Sequence, residues 1–450
     1  MESTNQENFF ETDTQQEKRQ QRAKKEGNTF GNPLRMPSKL LAVIKDTKSN
    51  NSVFVAESGG RVSKVDIEVS FSHTSSENPL ILTSGLLNPF HQSARVSSTS
   101  IQNQGLTTSQ TRTTTAKYTG PSVPVTCLAT GGPSNNTLFA GSWDKAIWSW
   151  DVATRRPGRK YDGHSDFVKA LVCGRLGDKT ILISGGADKK IIVWDADAGR
   201  KLHVLQDPTT TMMSLQSLAI DPILSTADEI VLVSASSDPH IRRWRVSLDS
   251  YAQLPFDQPA GEKAAAVGEE KLTIQEHETS VYKVLFDITG DEVDLWTASA
   301  DGTAKCLLRE KAFTSEDAFE HGDFVRAVAL TGDWVVTGGI SQQIKVWDRT
   351  SGKLYALLDA HFDEITDFVV LRDPAGRSSS DVLCSVGIDC TLRTWPLDRK
   401  GLDAAVEEIR VASEIVDGQE AEGEKKKEDD KEPLMTAEEE AELAALMEDD

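Results

Sequence analysis

Little in this chain supports a stapled or metal-built scaffold. Its 450 residues contain five cysteines, Cys127, Cys173, Cys306, Cys384 and Cys390, scattered with no CxxC pair. That usage excludes a disulfide framework and a zinc site and fits a reducing compartment. No apolar run approaches the roughly 20 residues that a membrane helix needs. The first thirty residues lack the apolar core of a secretory signal. The expected location is therefore intracellular, in the nucleus, the cytoplasm or both, with no membrane partner. The P-loop pattern, HExxH and GxSxG are all missing. Without them the chain reads as non-catalytic, with no cofactor and no metal.

Charge of one sign is also scarce. Lys and Arg number 49 against 70 Asp and Glu, a net charge of −21. From Gly401 onward the chain carries −14, and the preceding 400 residues carry only −7. An acidic balance of this kind argues against nucleic acid as the main ligand.

What the chain does contain is one hairpin written repeatedly. "ISGGADKKIIVWDADAGR", from Ile183 to Arg200, sets two β-branched runs around a turn rich in Gly and Asp. Similar stretches end at Asp66, Asp151, Trp244, Leu308, Asp348 and Trp395, which makes seven, most of them about forty residues apart. That is the period of a four-stranded propeller blade. Arranged radially, such blades bury one another's faces and hide most strand edges.

From about Ser38 to Leu397 the chain resembles the WD-repeat β-propeller family, an all-β fold with seven blades expected here. The resemblance implies a bracing tetrad in each blade: a His before the first strand, Ser or Thr on the second, Asp in the next turn and Trp on the third. Two sets match fully, His164, Ser184, Asp188 and Trp194 in the third blade, and His361, Ser385, Asp389 and Trp395 in the seventh. The sixth has Ser341 in the Asp position and the fifth has Leu307 in the Trp position. The fourth keeps Ser234, Asp238 and Trp244 without a His, and the second keeps Asp144 and Trp150. The first keeps no member, with Gly59 and Val65 in the Asp and Trp positions. Buried imidazole, hydroxyl and carboxylate groups satisfy one another, so these residues read as structural.

The expected organisation is a disordered N-terminal arm over 1–35, a propeller over 36–410 and an acidic tail over 411–450. A short helix is predicted over 436–447, with Thr436 as its cap. Two insertions, near 72–120 and 249–271, enlarge the first and fourth blades. Within the arm, "KRQQRAKK" from Lys18 to Lys25 is compatible with a nuclear-import patch or with plain surface charge. "AAVEEIRVAS", from Ala404 to Ser413, is expected to supply the strand that closes the ring.

The resemblance implies that partners dock on the top face. The residues before each turn Asp and those opening each first strand point outward there. These positions place Trp143, Phe167, Lys169, Tyr282, Phe324, Arg326, Ile340 and Ile388 in a candidate protein-binding surface. The expected function is a non-catalytic scaffold within a multiprotein complex, on a propeller that is monomeric by itself. Two alternatives stand beside it. One is a substrate receptor of a cullin-type ubiquitin ligase, whose Trp-Asp-x-Arg motif is approached by Trp347-Asp348-Arg349, one residue short, and by Trp194-Asp195-Ala196-Asp197, which has no Arg. The other is an assembly factor in ribosome or RNA processing.

Overall fold

The computed structural model describes residues 13–67, 112–207, 211–256, 272–289, 293–372 and 381–429. The expected helix over 436–447 and most of both insertions lie outside these residues.

Seven antiparallel sheets follow one another along the chain. Blade 3 shows the pattern, with strands Val168–Leu176, Lys179–Gly186, Ile191–Asp195 and Arg200–Leu205 hydrogen-bonded in that order. The two middle strands, Lys179–Gly186 and Ile191–Asp195, are buried over nearly their whole length, whereas Arg200–Leu205 at the rim is largely exposed. β-Branched residues fill the inner strands because their side chains pack well on a pleated, two-sided surface.

Seven apolar clusters join the blades, one for each neighbouring pair. Ile183 and Val193 of blade 3 meet Leu218 and Leu232 of blade 4 in one of them. The ring closes where Met36, Leu40 and Val55 of blade 1 pack on Leu371, Val386 and Leu392 of blade 7. Each blade thus packs against both of its neighbours, which is the condition a radial array must meet to be stable.

The first blade is built from Leu40–Lys45, Ser52–Glu57, Arg61–Ile67 and Arg112–Thr119, so its outer strand lies at the end of the Ser/Thr-rich insertion. In blade 4, Thr273–Ile274 returns from the second insertion to pair with Ile241–Val246 beside Tyr251–Leu254.

The closing strand differs from the sequence expectation. It is Leu34–Arg35 from the N-terminal side, paired with Leu392 and Thr391 as the outer strand of blade 7. Ala404–Ser413 lies instead in a helix, α2 (Arg399–Asp429). Leu402 is buried, and Ala405, Val406 and Ile409 pack against the same cluster between blades 6 and 7. The spacing i, i+3, i+4, i+7 is helical, not alternating. The boundary expected at residue 410 therefore falls inside α2. A second helix, α1 (Asp13–Glu26), precedes the closing strand. Its Lys25 Nζ lies 2.6 Å from Asp359 Oδ1, and Arg22 sits over the Phe362 ring. Among the described residues, no helix is long and apolar enough to cross a membrane.

Candidate functional site

The tetrads occupy the blade interiors. In blade 3, His164 Nδ1 is 2.9 Å from Asp188 Oδ1, Nε2 is 2.8 Å from Ser184 Oγ, and the Trp194 indole N–H donates to the same Oγ at 2.9 Å. Blade 7 repeats this through His361, Asp389, Ser385 and Trp395 at 2.8, 2.8 and 3.1 Å. Blade 5 keeps His277 with Asp301 and Thr297, and the buried Leu307 takes the indole's place. These hydrogen bonds hold Asp188, Asp301 and Asp389 below the usual carboxylate range despite the opposing effect of burial. In blade 6, Ser341 substitutes for the Asp, 2.7 Å from His321 Nε2. The imidazole is then hydrogen-bonded to hydroxyls and, among the described residues, to no carboxylate; burial, aided by Lys345 and only partly opposed by the charge of Asp323, pushes its pKa down to about 4.

Three blades solve the same bracing problem with residues that sequence comparison passed over. In blade 1 the buried Glu57 accepts from Ser63 at 2.6 Å, Arg61 at 2.7 Å and Ser38 at 3.0 Å. In blade 2, Trp148 donates to Asp144 at 2.8 Å. Its ring occupies the space into which a Cβ on Gly120 would project. In blade 4 the buried Arg242 lies 2.7 Å from Asp207 and 3.3 Å from Asp238. The available signal was register: Trp148 and Arg242 occupy the same slot of the third strand, opposite the Ser, Thr or Ala of the second.

The first strand of every blade has one irregularity at the same place. Register shifts after Leu40, Val125, Val168, Leu215, Val281, Val325 and Ile365. Each skips one residue, as a β-bulge does. The skipped residues are Leu41, Thr126, Lys169 and Gln216 in blades 1 to 4. In blades 5 to 7 they are Tyr282, Arg326 and Thr366. All seven line a single central cavity of about 300 Å³. Freed from pairing, a bulge residue is re-aimed, and here all seven converge on the ring axis.

Most of this ring is satisfied from within. Thr366 donates to Leu40 O at 2.9 Å, Thr126 to the carbonyls of Gly141 and Val168, and Gln216 to Ser237 Oγ at 2.5 Å. Arg326 stacks 4.9 Å over the Tyr282 ring and lies 3.3 Å from Glu364. Lys169 is half-buried, and burial, followed by the charge of Arg326, lowers its pKa.

The expected surface separates into this inner ring and two apolar spots on the rim. Trp143 of blade 2 stacks on Phe167 of blade 3, with centroids 4.7 Å apart and planes 12° from parallel. They are 44% and 36% exposed. Phe324 and Ile340 form the second spot on blade 6, at 45% and 44%. The Ile340 N–H donates to Phe324 O at 3.2 Å. Ile388 is half-buried. Lys169, Tyr282 and Arg326 belong to the inner ring.

Arg349 is engaged on the other face: its guanidinium pairs with Asp287 of blade 5 and donates to Thr289 Oγ1 at 2.9 Å. Among the described residues, no group of three or more His, Cys, Asp or Glu side chains is placed to hold a metal.

Residues 112–151, 155–195 and 315–348 match the family model of the WD domain, G-beta repeat. Two of these matches begin inside the outer strand of the preceding blade, Arg112–Thr119 and Thr314–Glu320. The repeat thus straddles two blades. An uncharacterized WD repeat-containing protein of Schizosaccharomyces pombe is 28% identical over 62% of this chain and 69% of its own length. A WD repeat-containing protein 26 homolog of Arabidopsis thaliana is 25% identical over 61% of this chain and 41% of its own. The nuclear distribution protein nudF of Aspergillus niger is 25% identical over 52% and 51%. The chain thus spans about half or less of the latter two relatives. Repeat matches, relatives and seven bridged blades agree, and the chain belongs to the WD-repeat β-propeller family.

Proposed function

We propose that this protein is a non-catalytic scaffold subunit whose top face holds other proteins in a complex inside the cell, in the nucleus, the cytoplasm or both. The carrying observation is the stacked, solvent-facing Trp143–Phe167 pair on the rim. Apolar surface left wet is unfavourable by roughly 25 cal/mol per Å², and a docked partner removes that cost. Stacking two aromatic rings in register also fixes their orientation before any partner arrives, which lowers the entropy lost on binding. Phe324 and Ile340 provide a second foothold on blade 6. The family is generally one of interaction scaffolds, and the His residues that would tempt a catalytic reading are bonded into the blade tetrads. Affinity purification with mass spectrometry tests this reading. The Trp143→Ala, Phe324→Ala double mutant, with its fold confirmed by circular dichroism, is expected to lose the co-purifying proteins of the unaltered chain. Retention of all of them overturns the top-face assignment.

A further inference from the structure

The seven bulge positions around the channel mouth hold two cations and no anion. Those cations are Lys169 and Arg326, in a chain whose net charge is −21. The other charged pair lining the cavity, Lys283 and Asp367, is neutralised internally at 2.8 Å. Arg326 is shared with Glu364, but Lys169 has no hydrogen bond or ion pair among the described residues, and the Tyr282 hydroxyl has none either. Of the groups facing the mouth, two are therefore unpaired donors and one is a half-compensated guanidinium. An ammonium, a guanidinium and a phenol around one opening suit a carboxylate.

Resting on the top-face reading, we propose that the channel mouth is a carboxylate-binding subsite. It takes an acidic side chain of a partner peptide while a neighbouring aromatic or large aliphatic side chain sits on Trp143 and Phe167. Phe167 and Lys169 are two residues apart on one strand start, so rim and mouth are adjacent along a bound chain. Binding would place a negative charge beside Lys169, whose ammonium is now disfavoured by burial and by Arg326. Asp166 and Glu364 are the acidic neighbours on this side. Since α2 is seated on blades 6 and 7, across the ring from Trp143 and Phe167, an external chain is the favoured occupant over residues 430–450.

The test uses the full chain and a fluorescein-labelled peptide with Glu followed by Phe between Gly-Ser flanks, read by fluorescence polarisation. The Glu peptide should bind at least about tenfold tighter than its Gln or Lys counterpart. Lys169→Ala should abolish that preference, Lys169→Arg should restore it, and Trp143→Ala should weaken all the peptides. Equal binding of the Glu and Gln peptides, or no saturation below about 1 mM, overturns the subsite. A phosphoserine peptide binding about tenfold tighter than the Glu peptide reassigns the ligand to phosphate. Displacement of the probe by a peptide of residues 430–450 at a tenth of the probe's own Kd reassigns the occupant to this chain. If partners are lost from the aromatic double mutant while the peptides fail to discriminate charge, the scaffold reading survives and the carboxylate subsite does not.

Discussion

Lys283 of blade 5 reaches Asp367 of blade 7, with its Nζ 2.8 Å from Oδ1. The same carboxylate accepts the Val43 N–H of blade 1 at 3.1 Å and the Phe368 N–H at 3.0 Å. One side chain thus ties three blades together beside the axis. Replacing Asp367 with Ala leaves the partly buried ammonium and two N–H groups without an acceptor. The expected loss is roughly 1–3 kcal/mol, seen as a lower Tm, and Lys283→Ala should cost less because that side chain is about one-third exposed. A larger effect from Lys283→Ala would show that Asp367 is not the hub.

Ring closure depends on the N-terminal side. Leu34–Arg35 covers the third strand of blade 7, Thr391–Pro396. Arg393 donates to Asn28 Oδ1 at 2.6 Å and to Phe30 O at 2.5 Å. Deleting residues 1–35 should expose a strand edge, lower Tm and promote self-association, detectable by light scattering. An unchanged Tm and a monomeric deletion variant would show that the closing strand is dispensable.

His321 should make the propeller acid-sensitive. Its folded pKa, about 4, lies below the ordinary 6.5, so between these values the unfolded chain binds the extra proton. Stability from this group is fully present above pH 6.5 and falls as pH drops toward 4. At about 1.4 kcal/mol per unit the loss reaches about 3 kcal/mol. The fully buried His361, its pKa also lowered, acts in the same direction. The groups facing His321 are Thr337, Ser341, Lys345 and Asp323. Urea melts across this range should show a shallower pH slope for His321→Gln, and an unchanged slope would assign the sensitivity elsewhere.

Arg242 is the keystone of blade 4. Arg242→Ala removes the guanidinium paired with the buried Asp207 carboxylate and should destabilise by about 3–5 kcal/mol. An Arg242→Met, Asp207→Leu pair removes both charges and should recover much of that loss. If the pair is no more stable than Arg242→Ala, the penalty comes from lost packing and not from the lost ion pair.

By itself the sequence determined the blades and the tetrads. A hairpin is a local event, so its Gly and Asp turn, its β-branched flanks and its Ser, Asp and Trp are written within a dozen or so residues. Repetition then made the pattern legible even in blade 1, where every tetrad member is replaced. The rim was legible too: Phe167 and Phe324 each stand three residues after their His, and Lys169, Tyr282 and Arg326 five. What separated rim from mouth was the bulge in each first strand, a feature of register between strands that no single strand displays. Only tertiary structure decided how the ring closes. Leu34 pairs with Leu392, and a two-residue strand has no pattern of its own. It is recruited because the repeat straddles two blades, leaving the last blade short of an outer strand. Likewise Glu57, Trp148 and Arg242 took over the bracing because a buried blade interior requires its polar groups to be paired, whichever side chains are at hand to do so.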